Sequence, residues 1–452
     1  MELKKNDQIQ LHIDGLTSEG AAVGHYHGIA VFVRGGVPGD ELTVHIIKTA
    51  KRYAIGIIQA ITVPSPTRIV SDCAVSSRCG GCSFRNMDYA EELRYKQQRV
   101  EDALARIAHL SVTVKPVIGA AQTEGYRNKA QYPVSIENGE LHAGFYAYKS
   151  HRIIPCDSCR LQPPVFRQCL DAFAVWVKEA GITAYDEKTG KGLLRHIYLR
   201  RAAATGELMA CAVINGTHLP DQALLIEQLT AIEGMRSICV NINRADSNVI
   251  LGDTTEVLWG SETITDELLG KRFAISPNAF YQVNHAQCER LYAKAAEYAA
   301  LTGTETLVDL YCGAGTIGLT MAESAKQLFG IEIVPQAIEN ARHNAAVNGV
   351  TNAEFFCGDA ADGAAELKRR GICPDVVVLD PPRKGCSPEL LHTVASMQPQ
   401  RIVYVSCDSA TLARDLALLD EIGYAVQEVT PVDMFPRTPH VEAVCLMSRV
   451  KD

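Results

Sequence analysis

Through residues 1 to about 62 apolar and polar positions alternate, in Ile9-Gln-Leu-His-Ile13, Ile29-Ala-Val-Phe-Val33, Glu41-Leu-Thr-Val-His-Ile-Ile47 and Tyr53-Ala-Ile-Gly-Ile-Ile58. A period of two marks half-buried strands, and the breaks at Asp14-Gly15 and Gly35-Gly36-Val-Pro-Gly39 are turn chemistry. Short strands at this spacing predict a small, OB-like β-barrel over residues 1–62. Pro64-Ser-Pro66 reads as a linker, the run from Asp88 to Ile107 as a helix, and residues 112 to about 270 as mixed strands and helices. From about residue 275 the pattern changes. Near-continuous apolar runs (305–310, 327–331, 375–380 and 401–406) alternate with glycine turns and helical stretches. That is the signature of a parallel sheet covered on both faces. The expected fold class is therefore α/β in three parts: the barrel at 1–62, a central α/β domain at 63–272 and a Rossmann-like, doubly wound domain at 273–452.

Composition narrows the function classes. With 44 Lys and Arg against 52 Asp and Glu, the formal charge is 44 − 52 = −8, which argues against a uniformly basic nucleic-acid coat but permits a local basic face. The chain has no run of about 18 consecutive apolar residues, and its first residues lack the apolar core of a signal peptide, so a soluble cytoplasmic protein with no membrane partner is expected. Fifteen cysteines are too many for filler and out of place as a disulfide framework in such a protein. Some of them are candidates for metal binding or chemistry.

Ligands of doubly wound sheets sit beyond the carboxyl ends of the strands, and three such ends stand out. The first runs into Asp309-Leu-Tyr311-Cys-Gly313-Ala-Gly315-Thr-Ile-Gly318, with Glu332 ending the next strand, placed to meet ribose hydroxyls; this is a nucleotide-type loop that would equally suit a dinucleotide. The second ends in Asp380-Pro-Pro-Arg383-Lys-Gly385, a loop stiffened by two prolines. The third delivers Ser406-Cys407-Asp408 to a helix capped by Asp408 or Ser409, where the helix dipole favours a thiolate. Further on, Glu442 opens a last apolar strand, as a solvated edge charge or a member of a site. Cys73-x5-Cys79-Gly-Gly-Cys82, with a distant fourth thiol, has a spacing that fits zinc or an iron-sulfur cluster.

Taken together, Phe280-Tyr-Gln282-Val-Asn284, Asp309-Leu-Tyr311-Cys-Gly-Ala-Gly315, Asp380-Pro-Pro-Arg383-Lys-Gly385, Ser406-Cys407-Asp408 and His440-Val-Glu442 resemble, in order, the motifs of the RNA uracil-C5 methyltransferase family. The barrel and cysteine segment resemble its bacterial 23S ribosomal RNA branch, which carries a TRAM domain and a [4Fe-4S] cluster. The resemblance implies S-adenosyl-L-methionine as methyl donor, contacted by Gln282, Tyr311, Glu332 and Asp380. It implies Cys407 as a nucleophile that adds to carbon 6 of uracil and Glu442 as the base that removes the carbon-5 proton. It also implies Cys73, Cys79, Cys82 and Cys159 as cluster ligands, with Cys156 a rival for the fourth place. The expected partner is 23S ribosomal RNA with no obligate protein partner; transfer RNA methylation and a noncatalytic iron-sulfur RNA-binding protein are the alternatives.

A target uridine in folded RNA must be turned out of its stack, so the rest of the chain has to grip RNA. Gly125-Tyr-Arg127-Asn-Lys129-Ala-Gln-Tyr132 and Tyr146-Ala-Tyr148-Lys149-Ser-His-Arg152 interleave cations and aromatic rings as such a surface would. The barrel offers Lys48, Lys51, Arg52 and Tyr53 in the same style.

Overall fold

A computed structural model describes residues 3–450. The chain divides into two compact units. One holds the residues up to Arg99 with Phe145–Ile154 and Phe435–His440; the other holds Val100–Gly144, Pro155–Met434 and the residues from Val441 onward.

In the first unit the expected strands form one six-stranded sheet, in the order Gln8–His12, Glu41–Thr49, Tyr53–Val63, Ile29–Val33, Ala22–Tyr26 and Gly15–Leu16. Only Ile29–Val33 and Tyr53–Val63 run parallel. Alternation works as expected: Ile9, Leu11, Val31, Val33, Leu42, Val44 and Ile46 point into a single core. Pro64-Ser-Pro66 does not behave as a free linker. Ser65 N–H donates to buried Asp40 at 2.9 Å, and Arg68 pairs with the same carboxylate at 2.6 Å, so the segment is tied down by a charge that must be matched. Burial alone would raise the Asp40 carboxyl, but the bonds from Arg68, Ser65 and Val37 hold it below its ordinary value. A second buried pair, Lys96 with Glu92 at 2.7 Å, also holds the segment from Phe435. Lys96 donates to Phe435 O, and Arg437 N–H donates to Glu92.

The helix expected over 88–107 is found as Tyr89–Ala103, followed by a π-helical turn, Leu104–Ala108, that ends at His109 with φ of 55°. The turn widens the helix by one residue, and Leu104 and Ala108 join the same buried core as Leu310, Leu379 and Tyr404.

The second unit contains two large sheets. One runs Thr254–Gly260, Met235–Ile242, Leu208–Ile214, Leu194–Arg201 and Lys129–Glu137, and continues into the next hairpin with Val134 opposite Ala143. The other has the order Ala353–Cys357, Gln327–Glu332, Thr306–Leu310, Val376–Leu379, Arg401–Ser406, Glu442–Arg449 and Tyr424–Val432. Its first five strands are parallel and the last two pair antiparallel. Thr306–Leu310 and Val376–Leu379 are neighbours in space although two strands intervene in sequence, so the topological switch point lies between them. Among the described residues, no helix is long and apolar enough to cross a membrane.

Candidate active site

The glycine loop leaves the strand Thr306–Leu310 at the switch point, with Tyr311 at φ of 66°, a left-handed conformation that costs a tyrosine about 1 kcal/mol or more. Gly313 and Gly315 also take positive φ, and Gly315 is the cap of the helix Thr316–Met321. The helix lies so close that a Cβ at Gly318 would stand 2.8 Å from Asp309. That contact lets Gly318 N–H donate to Asp309 Oδ2 at 2.9 Å. The other oxygen of Asp309 is buried and accepts no hydrogen bond. At the neighbouring strand end, Glu332 accepts from Gly313 N–H at 3.2 Å and Val334 N–H at 2.9 Å, which fixes its carboxylate against the loop.

Asp380 follows the strand Val376–Leu379, and its N–H reaches Leu310 O at 3.4 Å, beside Tyr311. The rest of its loop is held from below. Asp415, buried on the helix Ser409–Glu421, accepts from Cys386 N–H at 2.8 Å and from Tyr404 OH at 2.6 Å, while its ion-pair partner Arg414 donates to Lys384 O. Gly385 is required here, because a Cβ would stand 2.5 Å from both Arg414 and Asp415. Asp415 is a residue that the motif reading missed. Its signal was the i+7 spacing from Asp408 along an amphipathic helix, which places a carboxylate on the buried face.

Cys407 leaves the strand Arg401–Ser406, and Asp408 caps the following helix by accepting from the N–H groups of Ala410 and Thr411, both at 3.0 Å. The strand Glu442–Arg449 pairs antiparallel with Arg401–Ser406, Ala443 facing Ser406. Cys407 and Glu442 are the residues next to that last pair, and Glu442 is near enough for its charge to act on the Cys407 thiol. Glu442 is only 4% exposed, so it is not a solvated edge charge. Gln282 is likewise buried, just before Asn284, which caps the helix His285–Ala299 and donates to Met434 O at 3.1 Å.

The electrostatics of these strand ends are one-sided. Burial raises Asp380 to about 7. Burial and then Asp380 raise Glu442 to about 8. Asp309 reaches about 8, mainly through burial, with Asp380 and Glu332 adding to it against the bond from Gly318. The Cys407 thiol is pushed up to about 11 by burial, Glu442 and Asp380, opposed by Arg383. Arg383 was part of a recognised motif but had no assigned role. Crowded, buried acids favour protonation or a cationic ligand, and an orphaned carboxylate oxygen is a place for such a ligand to bind. The donor set fits a small cation-bearing molecule with hydroxyls.

Among the described residues, no group of three or more His, Cys, Asp or Glu side chains that could hold a metal ion is found. The backbone of the cysteine loop pairs with a hairpin of the same unit: Cys79 bridges to Ala147, Gly80 N–H donates to Tyr146 O at 3.1 Å, and a Cβ at Gly80 would meet that hairpin at 3.0 Å. The aromatic-cationic hairpin itself is sorted: Tyr146 stacks on His151, and Arg34 lies 3.9 Å from the ring centre of Tyr148. Together with Gly80 and Gly81 it lines an open hollow of about 550 Å³.

Comparison with known proteins agrees with this geometry. The family described as tRNA (Uracil-5-)-methyltransferase matches residues 88–450, and the TRAM domain matches residues 3–58. A protein of Clostridium tetani named as an uncharacterized RNA methyltransferase is 44% identical over 451 residues, covering 100% of this chain and 98% of the relative. Another of that name, from Bacillus cereus, is 45% identical over 451 residues, covering 99% and 98%. Among solved structures, the tRNA (uracil-54, C5)-methyltransferase of Pyrococcus abyssi in complex with S-adenosyl-L-homocysteine superposes with a TM-score of 0.79 at 28% identity, over 97% of this chain and 100% of that one. A family match over that length, joined to the carboxylate-lined switch point, makes this chain a member of the RNA uracil-C5 methyltransferase family with a TRAM domain.

Proposed function

We propose that this protein methylates carbon 5 of a uridine in 23S ribosomal RNA through a transient bond between Cys407 and carbon 6 of the base. The observation that carries the reading is that Cys407, at the end of Arg401–Ser406, stands within electrostatic reach of buried Glu442 and of Asp380 at the end of the neighbouring strand. Carbon 5 of uracil is a poor nucleophile. Addition of the Cys407 thiolate to carbon 6 turns the ring into an enolate whose carbon 5 can take a methyl group. When bound, S-adenosyl-L-methionine would supply that methyl as an electrophile, its sulfur–methyl bond breaking to leave the neutral thioether S-adenosyl-L-homocysteine. Glu442 then accepts the carbon-5 proton, the double bond re-forms, and the thiolate leaves carbon 6, so Cys407 is regenerated and the net proton passes to solvent. Asp380 and Asp309 match the positive sulfonium, Glu332 the ribose hydroxyls, and Tyr311 and Gln282 the flanks of the donor. Arg383 assists the thiolate by its charge.

The 23S assignment rests on the cysteine spacing and its likeness to the ribosomal branch. A second reading, transfer RNA methylation, is favoured by the Pyrococcus abyssi structure, whose own substrate is transfer RNA. Purified protein given a labelled methyl donor and each RNA class separately tests both. Label in 23S RNA is expected, label in transfer RNA alone reverses the substrate, and no label in either RNA removes the activity. With 5-fluorouridine RNA the adduct cannot lose its fluorine as a proton. Wild type should therefore give a denaturation-resistant complex and Cys407→Ala none.

A further inference from the structure

In the second unit, far along the sequence from the catalytic motifs, two cations face each other across a pair of buried strands. Lys129, on Lys129–Glu137, is directly opposite Arg200, on Leu194–Arg201, and Gln131 is opposite Tyr198 two residues along. The period of two puts all four on one face of the sheet. Like charges in register on adjacent strands destabilise a sheet, and burial makes this worse because water cannot screen them. Arg200 is 1% exposed. Its Nη1 donates to the carbonyls of Ser276 and Ala279, yet Nε and Nη2 have no hydrogen-bond partner. Tyr198 is equally buried, and its hydroxyl has none either. No carboxylate pairs with Lys129, Arg127 or Arg200 among the described residues. The buried acid Asp266 is occupied by the N–H groups of Ala203, Ala204 and Glu267. Burial, Arg200 and Arg127 all act in one direction on Lys129, lowering it to about 8.

This arrangement opens on a hollow of about 470 Å³, lined among others by Lys129, Gln131, Tyr198, Asn248, Asn278 and Phe280. The loop on its far side is held in place: Asn243 donates to Val249 O at 2.6 Å and Ile250 O at 2.9 Å, and Arg200 grips the carbonyls flanking Pro277 and Asn278. The pocket is thus built and rigid, with donors in excess of acceptors. We propose that it is an anion site that seats a backbone phosphate of the RNA, with Lys129 and Tyr198 as donors to the phosphate oxygens and Arg200 behind them. The choice of RNA as the source of the phosphate rests on the function proposed above. A phosphate here would offset the repulsion between the two cations and give the orphaned donors a partner, and it would fix the strand's register without reading a base.

The test uses the full chain and a labelled, uridine-containing single-stranded RNA, so that binding is read without turnover. Lys129→Gln and Tyr198→Phe should each weaken RNA binding about tenfold, with the slope of log affinity against log salt falling by about one for the lysine variant. Neither variant should melt below wild type, because each removes a strained or unpartnered group. Lys129→Arg should keep both affinity and slope. Inorganic phosphate should raise the unfolding midpoint of wild type and leave that of Lys129→Gln unmoved. Unchanged RNA affinity and slope in Lys129→Gln would overturn the site, as would an affinity loss that appears only with a lowered unfolding midpoint. A phosphate effect without an RNA effect would overturn the RNA assignment. Wild type that binds this RNA but methylates neither 23S nor transfer RNA would sink the methyltransfer reading and leave the anion site standing.

Discussion

Two buried clusters in the same unit carry opposite excesses of charge. Around the switch point, Asp309, Asp380 and Glu442 crowd together and each is raised to between about 7 and 8, whereas Lys129 beside Arg200 is lowered to about 8. Burial acts on both clusters, and like neighbours push each further from its ordinary value. The first unit shows the contrasting solution, since buried Glu92 and Lys96 neutralise one another at 2.7 Å. A fold can therefore match its buried charges internally, and in these two places it does not. The sign left over at each place names the sign of what should arrive: a cationic methyl donor at the acids, and a phosphate at the lysine and arginine.

The largest effect is expected at the sulfur. Cys407→Ala should lower methyl transfer at least about a thousandfold while leaving methyl-donor affinity near wild type, because the thiol takes no part in the acidic excess; donor titration calorimetry beside a turnover assay checks both halves. Next in size is the structural support. Asp415→Ala strands the Tyr404 hydroxyl and the Cys386 N–H and should cost about 3 kcal/mol in denaturant unfolding. Asp380→Asn sharpens the claim about charge, since it should weaken S-adenosylmethionine by about 2 kcal/mol and the uncharged thioether S-adenosylhomocysteine by much less. The same variant should bring the alkylation midpoint of Cys407 down from about 11, because a carboxylate that disfavours the thiolate is gone; rates with iodoacetamide against pH would read the shift.

An effect that depends on pH is expected at Asp309. Its folded value of about 8 stands above the ordinary carboxylate value of 3.8, so the stabilisation from protonation is fully present below about 4 and is lost as pH rises to 8. Asp309→Asn should then be more stable than wild type to denaturant at pH 8.5, with the gain fading towards pH 4. Equal gains at both pH values would remove ionisation as the cause.

Much of this was legible along the chain because it depends on local pattern. The runs at 305–310, 375–380 and 401–406 became the strands Thr306–Leu310, Val376–Leu379 and Arg401–Ser406, since an unbroken apolar run bounded by turn residues has few other uses in an α/β chain. Asp408 capped its helix as its side chain allows. What the pattern did not carry was pairing. Lys129 and Arg200 are 71 positions apart and meet only through strand register, and Glu442 comes beside the end of Arg401–Ser406 because two antiparallel strands extend the parallel sheet at that edge. Ser65 looked like part of a linker until Asp40, 25 residues earlier, needed its N–H. The thiol loop is a further case, for its spacing says nothing of the backbone bond from Gly80 to Tyr146, 66 positions on.

The antiparallel pairing of Arg401–Ser406 with Glu442–Arg449 has a consequence for reading related sequences. Strand side chains change face at every residue, so a single insertion or deletion between Met434 and Glu442, taken up as a slip of that ladder, would turn the carboxylate to the other face of the sheet while leaving every signature letter intact. A paralogue could thus keep all five motifs and be inert. For this family, the number of residues in that connection is as informative about activity as the motifs it joins.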